Sequence, residues 1–215
     1  MSALQLGRLL RASLANFVVG CRALQTEMPS FGGLVRVSLD HDYHIYGLIY
    51  DIHIDDDGLV RQLVTLDDVD EQVIADNRQN RNVPLEFSVL SVGYRQNERI
   101  YHLLPPRPPL SLDVIYLCDD DELRSFTSTG RFGYFRHILK AVDAPIEDLL
   151  AAHIQQTAQV HNQAGNPNWV NQAAQELIIL LRDDYPTLMS LLSVLNDALP
   201  EQSGDSRNKS YGSEK

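Results

Sequence analysis

Residues 43–54 read YHIYGLIYDIHI, and the meaning of this run decides the fold. β-Branched and aromatic side chains fill it, which suits a half-buried pleated surface better than a helix. A single Gly47 interrupts it, and an interior glycine in a strand marks a bulge or a tight bend, as barrels use at their corners. The Asp-rich DDDG at 55–58 supplies turn chemistry after it. On the N-terminal side, LVRVSLD (34–40) alternates Val35, Val37 and Leu39 against Arg36 and Ser38, the period of two expected of a strand with one buried face.

Further strands are predicted in both directions. LQLGRLL (4–10) and ANFVVGCRAL (15–24) precede the breaker MPSFGG at 28–33. After a polar stretch at 66–82, LEFSVLSVGYR (85–95) and RIYHLL (99–104) flank a Gln96-Asn97 turn and read as a hairpin. Then comes LLPPRPPLSLDVIYL (103–117). Its Pro-Pro-Arg-Pro-Pro core could pre-form a polyproline II ligand for an SH3-type module. Its place between two strands favours a stiff strap instead, because proline fixes φ and donates no hydrogen bond that would extend the sheet. Several short strands with such turns predict a small antiparallel β-barrel.

From about residue 119 the period changes. APIEDLLAAHIQQTAQ puts Ile146, Leu149, Leu150, His153 and Thr157 on one helical stripe behind Pro145. NWVNQAAQELIILLR (168–182) is a second helix. PTLMSLLSVLNDAL (186–199) is a third, with Leu188, Leu191, Leu192 and Leu195 in a single amphipathic stripe. The fold class is therefore α+β: a small N-terminal antiparallel β-barrel over 1–118 followed by a C-terminal α-helical region over 119–200. The tail 201–215 is polar and poor in apolar residues, and reads as disordered.

Composition limits the function. The formal net charge is −11, from 29 acidic against 18 basic residues, which disfavours direct binding to a nucleic-acid backbone. Two cysteines, Cys21 and Cys118, sit in separate apolar runs with no CxxC pairing, so free thiols in a reducing compartment are expected. MSALQLGRLL lacks the apolar core of a signal peptide, and no stretch approaches a membrane span. A cytoplasmic protein is expected.

Three constellations could carry chemistry. DHDYHIYGLIYDIHIDDD (40–57) offers His41, His44, Asp51, His53 and Asp55; on a strand Asp51, His53 and Asp55 would share a face that could hold a divalent metal in a hydrolase. The alternative is a solvated strand face closed by an acidic turn. TSTGRFGYFRHILK (127–140) interleaves aromatics with Arg131, Arg136 and Lys140, a candidate nucleic-acid or partner contact. Its base and glycine stand in the reverse of the order used by RNA-recognition domains, so the segment reads better as a loop feeding aromatics into a core. The leucine stripe 188–195 could bind a partner or close the protein's own core. No Gly-Lys pair and no GxSxG are present, so neither a phosphate loop nor a nucleophile elbow is recognisable. His153 and Trp169 read as core residues. No cofactor and no catalytic role are expected.

The order of the pieces carries a resemblance. GRLLRASLANFVVG, GGLVRVSLD, YGLIYDIHI and PLEFSVLSVGYR, with Gly7, Gly33 and Gly47 at matching places, resemble the HAS barrel, the small β-barrel of HerA-type ATPases and ATP synthase subunits. GYFRHILKAVDAPIEDLLAAH is similar to the stretch that leads into the HerA motor. Where that family presents its phosphate loop, this chain has HIQQTAQVHNQAGNP and two helices. The resemblance implies a non-catalytic accessory module in DNA processing. It would work through protein–protein contact with a separately encoded HerA-type ATPase or its nuclease, or as a homo-oligomer. Arg107, in the proline run, is the residue of that strap singled out for partner contact.

Overall fold

The computed structural model describes residues 4–22, 29–54, 71 and 84–199. Among them are seven strands: β1 (Gln5–Ala12), β2 (Asn16–Arg22), β3 (Leu34–Asp40), β4 (Tyr43–Ile54), β5 (Pro84–Gln96), β6 (Arg99–Tyr101) and β7 (Val114–Leu117). Their order is β2-β1-β7-β3-β4-β5-β6, and a further pairing of β2 with β5 closes six of them into an antiparallel barrel. The seventh, β6, extends β5 past the closure: β2 pairs with the stretch Pro84–Leu90 and β6 with Tyr94–Gln96.

The period-two pattern explains the interior. Val35 and Val37 of β3, Ile45 and Ile49 of β4, and Phe87 and Val89 of β5 all point inward and are buried in one hydrophobic cluster. The register slips at Gly47, because Tyr46 faces Gly93 and Gly47 faces Ser91, leaving Val92 as the extra residue. A Cβ on Gly47 would lie 2.3 Å from Val89 Cγ1, so only glycine permits the approach. A second slip leaves Tyr50 unpaired between Ile49 and Asp51 and turns Ile52 toward the interior. Such bulges bend a long strand enough to serve a small barrel.

The hairpin from β5 to β6 turns on Asn97 and Glu98, both with positive φ (49 and 63), since Gln96 is already paired with Arg99. That is one residue later than the predicted turn, and it matches the two-residue loop that suits strand twist. The proline run then crosses from β6 to β7 with Pro105 and Pro109 buried. It delivers β7 between β1 and β3, where Val114–Tyr116 pair with β1 and Ile115–Leu117 with β3.

The chain beyond β7 is helical: α1 (Asp120–Ser128), a short turn at Gly130–Phe132, α2 (Phe135–Leu139), α3 (Ile146–Gln163), α4 (Trp169–Leu180) and α5 (Tyr185–Ala198). Asp119 caps α1 by accepting from the Glu122 amide at 2.9 Å. The helices cover the outer face of β3–β5, where Leu34, Tyr46, Leu48, Leu90 and Val92 join a second cluster with Phe126, Tyr134, Leu149 and Ile154. Arg36 of β3 and Glu122 of α1 form an ion pair of 2.7 Å across this junction.

The leucine stripe belongs to that core. Leu188, Leu191 and Leu195 are buried and Leu192 is half-buried, so of the two readings of the stripe this face follows the one that closes the protein's own core, packing on α3 and the rest of the helical layer. No helix of the described residues is long and apolar enough to cross a membrane. Asp55, the acidic turn 55–58 and the tail 201–215 lie outside the described residues.

Candidate functional site

One end of the barrel presents an ordered apolar surface. After the prolines the chain doubles back at Leu110–Asp113, where the Leu110 amide donates to Asp113 Oδ2 (2.8 Å) and the Asp113 amide to the Leu110 carbonyl (3.1 Å). This turn is tied to β1 on three sides. The Leu112 amide donates to the Leu9 carbonyl (2.8 Å), Ser111 Oγ to the Leu10 carbonyl (3.2 Å), and the Arg8 guanidinium to the Leu112 carbonyl (2.9 Å). Leu112 is held at φ +74, a left-handed conformation that a branched residue rarely adopts. Leu110 and Leu112 nevertheless stand 70% and 67% exposed beside Leu10. At the other end of the strap, Arg107 lies 3.4 Å from Asp40 and over the Tyr43 ring, still open to solvent.

The seam between barrel and helices is a second polar region, buried this time. His153 of α3 donates from Nδ1 to the Gly32 carbonyl and accepts from the Tyr134 hydroxyl at Nε2, both at 3.1 Å. Burial drives its pKa down to about 4, against the opposing pull of the Gly32 carbonyl. His102 donates from Nε2 to the Phe126 carbonyl (3.1 Å), and its pKa is likewise lowered to about 4, chiefly by burial. The His102 carbonyl accepts from His137 Nε2 (3.2 Å) and from the Arg136 guanidinium. His161 stacks on Trp169 (4.8 Å between centroids, 10° between planes) and donates to Thr127 Oγ1 at 2.9 Å. The neutral imidazoles of His102, His137 and His153 fasten helices to the segments that flank β3 and β6, and that of His161 joins α3 to α1 and α4. Their lowered basicity makes them poor proton acceptors at neutral pH.

The residues singled out from sequence do not converge. His41 sits in the β3–β4 turn, and His44 is buried against Ser38 Oγ at 2.9 Å. Asp51 and His53 lie exposed toward the far end of β4, about 20 Å or more from His44 by strand rise. The length of β4 thus separates His41 and His44 from Asp51 and His53, while Asp55 lies outside the described residues; among the described residues no three His, Cys, Asp or Glu side chains come together as a metal site. The basic trio is also dispersed. Arg136 is engaged with His102, Arg131 lines a cavity beside α4, and Lys140 lines another between α2 and the barrel.

No protein-family model matches this chain, and no curated protein matches it either.

The surface at Leu10, Leu110 and Leu112 escaped the sequence reading because each leucine sits in an alternating strand-like run, where half the positions are buried. The available signal was Ser111-Leu112-Asp113, in which Asp113 can close a turn on Leu110.

Proposed function

We propose that this chain is a non-catalytic assembly module of the HAS-barrel kind, which contacts a separately encoded HerA-type ATPase or its nuclease through the barrel end at Leu10, Leu110 and Leu112. The observation that carries the reading is the combination of exposure and rigidity at that turn. Two leucines are more than half exposed while their backbone is pinned to β1 and one of them bears a left-handed φ. Apolar side chains held in solvent cost solubility, and strain persists where the surroundings over-determine it for a purpose. A pre-ordered apolar turn also loses little entropy on docking. The reading rests for its family on the order of the glycine-marked strands in the sequence, and it requires a closed barrel such as the six-stranded one present here.

Co-expression with a HerA-type ATPase, followed by affinity capture and size-exclusion chromatography, tests the proposal. The expected result is a complex that survives chromatography and is lost in Leu110→Glu and Leu112→Glu, with both variants folded by circular dichroism. Absence of a complex, or a complex indifferent to both substitutions, overturns it.

A further inference from the structure

A cavity of about 430 Å³ opens between the turn after α1 and one face of α4. Its base is formed by Thr127, Phe132 and Trp169, all buried. One wall is the turn Gly130-Arg131-Phe132, whose φ values are all positive (63, 47 and 57). Consecutive left-handed residues are rare because each L-residue there costs about 1–2 kcal/mol. The reversed hand sends Phe132 inward, its ring 5.4 Å from those of Trp169 and Phe135, and leaves the Arg131 side chain exposed at the cavity.

The opposite wall is α4. Trp169, Gln172, Glu176 and Ile179 follow one another at helical spacing on a single stripe, with Gln175 beside them, and Asn166 stands at the entrance to the helix. Gln172, Gln175 and Ile179 are exposed and Glu176 is half-buried, so this face of α4 is open to solvent and presents two carboxamides and a carboxylate at an accessible groove over the buried Trp169. None of the side chains of Arg131, Asn166, Gln172, Gln175 or Glu176 makes a hydrogen bond or ion pair with another described residue. The cavity therefore holds one cation, one anion and three carboxamides, all uncommitted.

We infer that this cavity binds a small zwitterionic ligand of the amino-acid or short-peptide class. The ligand's carboxylate meets Arg131, its ammonium meets Glu176, and its amides pair with Gln172, Gln175 and Asn166. Guanidinium is the side chain best matched to a carboxylate, and primary carboxamides offer a donor and an acceptor to a peptide group. A simple anion fits less well, because Glu176 shares the lining. A nucleobase lacks a stacking face here, since Trp169 and Phe132 are only 2% and 9% exposed. The volume lies within the range of small-molecule sites. The cavity shares no residue with the barrel-end surface, so it stands or falls apart from any protein partner.

Titration calorimetry of the full chain with the dipeptide Gly-Gln, its N-acetylated form and its C-amidated form tests the assignment. Gly-Gln is expected to bind saturably. Either blocking group should weaken binding about tenfold or more, the effect of deleting one charged hydrogen bond. Arg131→Gln and Glu176→Gln should do the same, with unchanged thermal melts. No binding of Gly-Gln at about 10 mM, the weak limit for a specific site, overturns the inference. So does a blocked peptide that binds as well as the free one, a comparison that needs no variant at all.

Discussion

The barrel interior and the barrel–helix seam are both buried, but they are held by different physics. The interior cluster of Leu9, Phe17, Val35, Ile45, Phe87 and Ile115 is hydrophobic throughout. The seam mixes its apolar side chains with buried His102, Thr127, His153, Thr157 and His161. Burial is non-directional, and the inside of a barrel needs no more, because strand pairing already dictates where each side chain points. A helix laid on the outside of a barrel could slide or rotate without losing much apolar contact. The bonds from His153 to the Gly32 carbonyl and from Gln156 to the Phe31 carbonyl prevent this, since together they fix α3 against the loop before β3. Gly32 itself, at φ +79, has no room for a Cβ, which would sit 2.9 Å from Ala152 Cβ.

This contrast can be broken at several points. Phe87→Ala in the interior should be the most damaging change, lowering unfolding free energy by about 3–5 kcal/mol in urea titrations, because the closed barrel collapses poorly around a lost ring. Acidification should weaken the seam and leave the interior's contribution alone. His102 and His153 have native pKa values near 4 against an unfolded value of 6.5, so the unfolded chain binds more protons between those limits. Their stabilisation is complete above pH 6.5 and is lost as pH falls toward 4, by about 1.4 kcal/mol per pH unit for each histidine. Urea midpoints at pH 7 and pH 5 measure the slope, and His153→Gln should remove its share of it.

Tyr134→Phe leaves His153 Nε2 as a buried acceptor without a donor, for an expected loss of about 1–2 kcal/mol with little change in packing. Equal stability of this variant and the parent would show that the seam, like the interior, is held by burial alone. Arg107→Ala should have the smallest effect, within about 1 kcal/mol, because its pairing with Asp40 is solvent-exposed.

The same contrast explains what the sequence made legible. The strands at 34–40 and 43–54 are legible to the residue: the first alternates, the second, buried on both faces from Tyr43 to Ile49, is a continuous β-branched and aromatic run, and acidic and glycine-rich breakers mark their ends. The three long helices are legible from their stripes, with ends within a residue or two except at the C-terminus of α3, which runs four residues past the predicted stretch to Gln163. Helix α1 was not placed. DDELRSFTS carries only Leu123 and Phe126 as large apolar residues, and the decisive cue was the cap at Asp119, three residues before Glu122. The aromatic segment 127–140 was rightly read as feeding a core, since Phe132, Tyr134 and Phe135 are buried. Its left-handed turn could not be foreseen, because Arg131 and Phe132 have no local preference for that conformation. The strand rise of over 3 Å per residue sets His41 and His44 apart from Asp51 and His53, while Asp55, the third residue of the face Asp51–His53–Asp55, lies outside the described residues.

The position of β7 has a consequence for how the chain comes into being. β1 and β3 are neighbours of β7 and not of each other, so the gap between them stays open until residues 114–117 have left the ribosome. The bond from Arg8 to the Leu112 carbonyl spans 104 residues of sequence. Closure is thus the last event in building the barrel, and such long-range pairing makes folding slow. Until then two strand edges stand unpaired and open to other nascent chains. The proline crossing that precedes β7 offers few amide donors of its own, so while those edges stand open it is itself a poor strand to pair with them.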